Sequence, residues 1–230
     1  MKKYIGSCLL ALLCATQLFA QDANALIAKV KQKLDLVKDY EASGKMKTNV
    51  AFLKVPVADI KLFYKKPEKL KFKTAKGVSF IPKGAVSINL NNILGSGRYT
   101  AIDAGTDKLG SSTVRVVKLL PEDDNSDVVL STLYIDERSF LVLKTKTTTR
   151  ENGTYELELS YGKYAAYALP DKVVFSFNTK DYKLPKGVTF DFDDGTRTKP
   201  TDAAKNKKGR AEITFSNYKI NQGIADAVFL

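Results

Sequence analysis

What most constrains this chain is a run of segments in which apolar and polar residues alternate one by one. Tyr40, Ala42, Gly44, Met46, Thr48 and Val50 alternate with Glu41, Ser43, Lys45, Lys47 and Asn49. Ala58, Ile60, Leu62 and Tyr64 alternate with Asp59, Lys61 and Phe63, and Leu70 and Phe72 alternate with Lys69, Lys71 and Lys73. A period of two gives each strand one dry face and one wet face, the pattern of an antiparallel sheet covered on one side only. Further strands are predicted over 78–81, 113–120, 128–135, 140–148, 154–161, 172–178 and 211–218. Asn152-Gly153 marks a tight hairpin, because both residues accept positive φ.

Helical spacing is rarer. Leu26, Ile27, Val30, Leu34 and Val37 recur at the helical period and predict a helix over 23–38, with Asp22 as a cap at its start. A shorter helix is predicted over 86–94, with Val86, Leu90, Ile93 and Leu94 on one side and Gly95-Ser96-Gly97 as its stop. A polar excursion over 180–209, with Pro185, Pro200 and Lys205-Asn206-Lys207-Lys208, reads as a loop or a partly ordered hairpin extension. A large antiparallel sheet with one apolar face has to cover that face. With so few helices, the economical answer is an α+β fold: a curved, unclosed antiparallel β-barrel of about nine to eleven strands, with helices on its concave face. That arrangement leaves room for a ligand between sheet and helix. No repeat or composition break divides the remainder, so 21–230 reads as one domain.

The first twenty residues have the grammar of a secretory signal peptide cleaved before Gln21: Lys2 and Lys3, an apolar run, then Ala20. A competing reading makes Cys14 a lipid-modified anchor, although Leu13 before it is larger than that signal prefers. Both cysteines, Cys8 and Cys14, lie within this segment, and the chain has no histidine. An exported product would have no disulfide, no thiolate chemistry and no imidazole base or metal ligand. A binding or carrier protein is therefore favoured over an enzyme. The formal charge of +12, or +10 without Lys2 and Lys3, suits an anionic membrane or headgroup better than nucleic acid for an exported protein; plain solubility explains it as well. The acidic runs Glu122-Asp123-Asp124-Asn125-Ser126-Asp127 and Asp191-Phe192-Asp193-Asp194-Gly195 lack the full spacing of a calcium loop and read as turns. No catalytic residue, metal site or cofactor is predicted.

The order of these pieces resembles the periplasmic lipoprotein-carrier superfamily (LolA/LolB-like). The helix of Leu26 to Val37 runs into Tyr40-Glu41-Ala42-Ser43-Gly44-Lys45-Met46, like that family's first helix and strand. Phe63-Tyr64-Lys65-Lys66-Pro67-Glu68-Lys69-Leu70-Lys71-Phe72 is similar to its basic, proline-containing hairpin. Leu133-Tyr134-Ile135-Asp136-Glu137 followed by Phe140-Leu141-Val142-Leu143-Lys144 is similar to its strand, acidic turn, strand unit. The ending over 220–229 matches a short segment that reaches a phenylalanine. The resemblance implies an unclosed barrel that takes acyl chains between sheet and helices. It also implies a periplasmic carrier or chaperone in outer-membrane lipoprotein sorting, with an acylated lipoprotein or lipid as cargo and inner- and outer-membrane sorting proteins as partners. The same superfamily includes envelope sensors and at least one cofactor-free enzyme, so those readings stay open.

For such a carrier the candidate cavity wall is Met46, Val50, Ile60, Leu62, Leu70 and Phe72. The candidate lid is Ile88, Leu90, Ile93 and Leu94. Each of these residues equally well serves as packed core. Lys65, Lys66 and Lys69 are candidate contacts for a headgroup or partner, or simply a solvated face that discourages edge pairing.

Overall fold

The computed structural model describes residues 18–50, 53–54, 57–74, 90, 94, 98–151, 153–178 and 208–230. The helix α1 (Leu18–Leu34) leads into strands β1 (Asp39–Val50), β2 (Leu53–Lys54), β3 (Ala58–Lys65) and β4 (Lys69–Thr74). The chain continues through β5 (Tyr99–Leu109), β6 (Ser112–Pro121), β7 (Val128–Asp136), β8 (Leu141–Thr149) and β9 (Thr154–Ser160). Strands β10 (Lys172–Asn178) and β11 (Lys208–Ile220) complete the sheet, and 3-10 turns occupy Ala165–Tyr167 and Asp226–Phe229.

All strand pairs are antiparallel, in the order β4-β3-β1-β11-β10-β9-β8-β7-β6-β5, with the short β2 attached to the end of β1. Strands β4 and β5 form the two edges and do not pair with each other, so the barrel stays open, as the sequence predicts. The register slips at Ser43/Gly44 between β1 and β11, at Asp103/Thr106 between β5 and β6, and twice between β7 and β8. Such bulges bend a strand and increase its twist.

Helix α1 forms because its apolar residues fall on one stripe. Ala23, Leu26, Ile27, Val30 and Leu34 are all buried. They pack on Val117 and Leu119 of β6, Leu133 and Ile135 of β7, Leu141 and Val142 of β8, and Leu159 of β9. Each large aliphatic side chain in this cluster contributes about 1.5–3 kcal/mol of burial. Lys31 and Lys33 lie in the last turn, where they complement the helix dipole, and Lys33 Nζ also donates to the Ser139 carbonyl at 2.8 Å.

Two details differ from the sequence reading. The helix starts at Leu18, ahead of the expected cleavage point, and ends at Leu34 rather than at Lys38. Val37 remains buried with Ala42, Leu62, Leu169 and Tyr218 after the chain has left the helix, which is why its apolar period continues past the helix end. The exit is held by Asn221, whose φ is +56°. Its side-chain oxygen accepts from the Lys38 amide at 2.7 Å, and its amide nitrogen donates to the Leu36 carbonyl at 2.8 Å. Carbonyls near a helix end need such donors.

Candidate functional site

Strand alternation gives the sheet an apolar inner face, and three zones can be followed along it. The first lies beneath α1 on β6 to β9, as described above. Leu90 and Leu94, four residues apart and both helical, are buried in this same cluster.

The second zone closes one end of the half-barrel with aromatic rings. Tyr40 of β1 lies 5.2 Å from Tyr64 of β3 and 5.5 Å from Tyr218 of β11, measured between ring centroids. Tyr218 also meets Tyr164 at 4.9 Å and Phe215 at 5.2 Å. The Tyr218 hydroxyl donates to the Pro170 carbonyl at 2.7 Å, and the Tyr164 hydroxyl donates to Asn217 Oδ1 at 2.9 Å. Burial pushes the phenols of Tyr40 and Tyr218 far above their ordinary value and that of Tyr64 up to about 12, so all three stay neutral. The Tyr64 hydroxyl is buried and has no hydrogen-bond partner.

The third zone is the opposite end of the same face, where hydroxyls interrupt the apolar surface. One cross-strand row runs Leu133–Thr145–Leu157–Phe175–Ala211–Thr48, from β7 to β1. The adjoining row runs Ser131–Thr147–Tyr155–Phe177–Gly209. Ser131, Thr145 and Thr147 are at most 1% exposed, and Thr48 is 6% exposed. Ser131 and Thr147 share a hydrogen bond of 3.0 Å, whereas Oγ1 of Thr145 and Oγ1 of Thr48 have no partner. Burial, with Asp127 nearby, raises the Tyr155 phenol to about 12.

The candidate cavity residues are distributed over these zones. Met46 and Ile60 are buried on the inner face of β1 and β3. Leu62 packs in the aromatic end, with Leu70 and Phe72 half-buried against it. Of the candidate lid, Leu90 and Leu94 join the α1 core; Ile88, Ile93 and the side chain of Val50 lie outside the described residues, as do the expected strand over 78–81 and most of the excursion over 180–209. The sequence reading did not single out Thr48, Ser131, Thr145 or Thr147. The available signal was the alternation of Thr145, Thr147 and Thr149 with Lys144, Lys146 and Thr148, which already put hydroxyls on the dry side.

The candidate contact lysines are engaged within the molecule. Lys65 Nζ and Lys69 Nζ reach Asp226 Oδ1 at 2.7 and 3.1 Å, and Lys65 also donates to the Ile224 carbonyl at 2.9 Å. Lys66 Nζ meets Asp35 Oδ1 at 2.6 Å. These pairs tie the β3–β4 hairpin to the C-terminal 3-10 turn and to the end of α1. The Lys65 and Lys69 hydrogen bonds hold the Asp226 carboxyl below its ordinary value.

On the outer face a recess of about 420 Å³ lies beside Gly44, lined in part by Lys45, Lys61, Lys73, Ser43, Thr214 and Ser216. Among the described residues no group of three acidic, cysteine or histidine side chains is placed to hold a metal ion. The acidic run after β6 forms a turn closed on Asp123, whose Oδ1 accepts from the Asn125 amide at 2.9 Å.

No protein-family model matches the sequence, and no curated protein does either. Solved structures share its fold. A domain from Vibrio parahaemolyticus described as an outer membrane lipoprotein-sorting protein superposes with a TM-score of 0.58 at 11% identity, over 91% of this chain and 97% of that one. A DUF1329 family protein from Desulfovibrio piger gives 0.57 at 11% identity, over 92% and 97%. A LolA superfamily protein from Nitrosomonas europaea gives 0.55 at 11% identity, over 90% and 97%. The chain therefore has the LolA-type fold, carried by a sequence far from those of its structural neighbours.

Proposed function

We propose that this chain is an exported periplasmic carrier or chaperone, a divergent relative of the lipoprotein-sorting domains whose fold it shares. Its cargo is the acyl part of a lipoprotein or lipid, held on the inner face of the half-barrel for outer-membrane lipoprotein sorting. One observation carries this reading. The apolar inner face extends well past the residues that pack on α1, across β10, β11, β1 and β3, where Phe175, Phe177, Met46 and Ile60 are buried and Ile213 is half-buried. Among the described residues no helix packs on that part.

The energetics suit a lipid. Each methylene withdrawn from water gains roughly 0.8 kcal/mol, so one long acyl chain gains on the order of 10 kcal/mol. A carrier has to hold such a chain and still release it, so part of this gain must be offset by rearrangement of whatever covers the ligand. The residues 1–20 act, in this reading, as the cleaved export signal. The scarcity of nucleophile–base chemistry in the sequence supports binding rather than catalysis.

The test is native mass spectrometry of the protein purified from its own cell envelope. The expected result is a co-purifying acyl-bearing mass. A ligand-free mass together with a tight protein complex would overturn the carrier reading in favour of an envelope sensor on the same scaffold.

A further inference from the structure

From the hydroxyls at the third zone of the inner face we infer a carbonyl-binding subsite, centred on Thr145, that selects ester- or amide-linked acyl chains over plain alkyl chains. The inference rests on the carrier reading above and names the chemistry of the ligand more closely.

Thr145 lies in mid-strand on β8, between Leu133 of β7 and Leu157 of β9 in register. It is fully buried, and its hydroxyl has no hydrogen-bond partner. A buried donor left unpaired is costly, and native structures almost always satisfy it. Valine has the same shape and would remove that cost. A pure core position gains nothing from threonine here. Beside it on the same face, Ser131 and Thr147 share one hydrogen bond of 3.0 Å, in which either can be the donor, and each oxygen keeps acceptor capacity. At the other end of the row, four strands away, Thr48 Oγ1 is also buried and unpartnered. With strands about 4.8 Å apart, the two free hydroxyls are separated by about 19 Å along the sheet. Leu157, Phe175 and Ala211 fill the interval.

An alkyl chain alone cannot use a hydroxyl donor. Thr145, Leu157 and Phe175 are at most 4% exposed without ligand, so an acyl chain has to displace what packs on them; its carbonyl oxygen then accepts one hydrogen bond while its methylenes run over Leu157 and Phe175. Thr145 is the donor, and Thr48 offers a second donor at the far side of the apolar stretch. The subsite leaves the chain length open and favours the linkage.

The experiment compares a short-chain diacyl glycerophospholipid with its dialkyl ether counterpart, by displacement of a fluorescent hydrophobic probe from the full protein. The wild type is expected to bind the ester about five- to tenfold more tightly than the ether, the worth of one buried hydrogen bond. Thr145→Val should remove most of that preference while raising the thermal midpoint of the ligand-free protein. Thr145→Ser, which keeps the donor, should retain the preference. Thr145→Ala serves the same comparison if the valine variant folds poorly. An N-acyl amide probe, tested beside the ester, separates the two linkages: tighter binding of either than of the ether supports the subsite. Equal binding of ester and ether, or a preference unchanged in Thr145→Val, overturns the subsite and leaves the carrier reading standing. Failure of the wild type to bind either lipid overturns both.

Discussion

Gly44→Ala tests whether the bend of the half-barrel depends on a missing side chain. Gly44 faces inward on β1, where the register with β11 slips. A Cβ built there collides with the Thr214 carbonyl oxygen and comes within 3.1 Å of the Phe215 Cα. Both obstacles are backbone, so no side chain can swing away and β11 itself has to move. Overpacking of this kind costs about 1–3 kcal/mol. Stretching one or two ladder hydrogen bonds adds about 1 kcal/mol. The lower backbone entropy of unfolded alanine returns about 0.4–1 kcal/mol. The net expectation is a loss of about 2 kcal/mol, which for a chain of this size lowers the thermal midpoint by about 4–8 °C. Urea unfolding followed by far-UV circular dichroism measures it, with Ser43→Ala on the outer face as a control expected to stay within about 0.5 kcal/mol of wild type. If Gly44→Ala is as stable as the control, the strands have room for a Cβ and the steric origin of the bulge is wrong.

Asn221→Ala removes the clip on the exit of α1 and places alanine at a positive φ, whereas Asn221→Gly loses the clip but tolerates the conformation. Both should be destabilised, alanine by about 1 kcal/mol more than glycine in the same urea titration. Asp136 is held below its ordinary carboxyl value, chiefly by the Ser139 hydroxyl at 2.6 Å and also by the Arg138 amide at 3.1 Å. Because its folded value lies below the unfolded one, its contribution is complete above the usual carboxylate range of about 3.9 and is lost as pH falls through the folded value. The stability gap between wild type and Asp136→Asn should therefore be constant from about pH 5 upward and close in acid; a gap that persists unchanged at the lowest pH would refute the assignment. Ile213→Gln puts an amide on the half-buried inner face of β11, away from the aromatic end, and should weaken acyl binding at least about fivefold with little effect on folding; a displacement titration that shows unchanged affinity would move the ligand elsewhere.

Much of the architecture was legible because burial here follows a simple period. The alternation from Ala42 to Asn49 in β1 and along β3 matches their buried and more exposed positions, and Gly153, at φ of +70°, stands in the turn between β8 and β9. β5 escaped notice for a physical reason. It is an edge strand with no fully buried side chain, and Gly105 at its bulge, with φ of +84°, breaks the alternation. The C-terminal end of α1 falls short of the predicted one because Val37 keeps the helical period while serving a different cluster. The fate of Lys65, Lys66 and Lys69 could not be read from composition, since their partners Asp226 and Asp35 lie far off in the chain. The inner hydroxyls were visible as alternating threonines, but hydropathy alone does not distinguish a paired hydroxyl from an unpaired one.

The pairing of β1 with β11 has a consequence for how the molecule assembles. The first strand and the last meet in the middle of the sheet, in register from Tyr40 with Ile220 to Asn49 with Arg210. Until β11 arrives, no strand pairing joins the ribbon of β1 to β4 to that of β5 to β10, and only the packing of α1 on β6 to β9 bridges them. Joining them is a late, long-range event, and contacts of such high sequence separation form slowly. A sheet wired this way becomes continuous only when its last strand is seated.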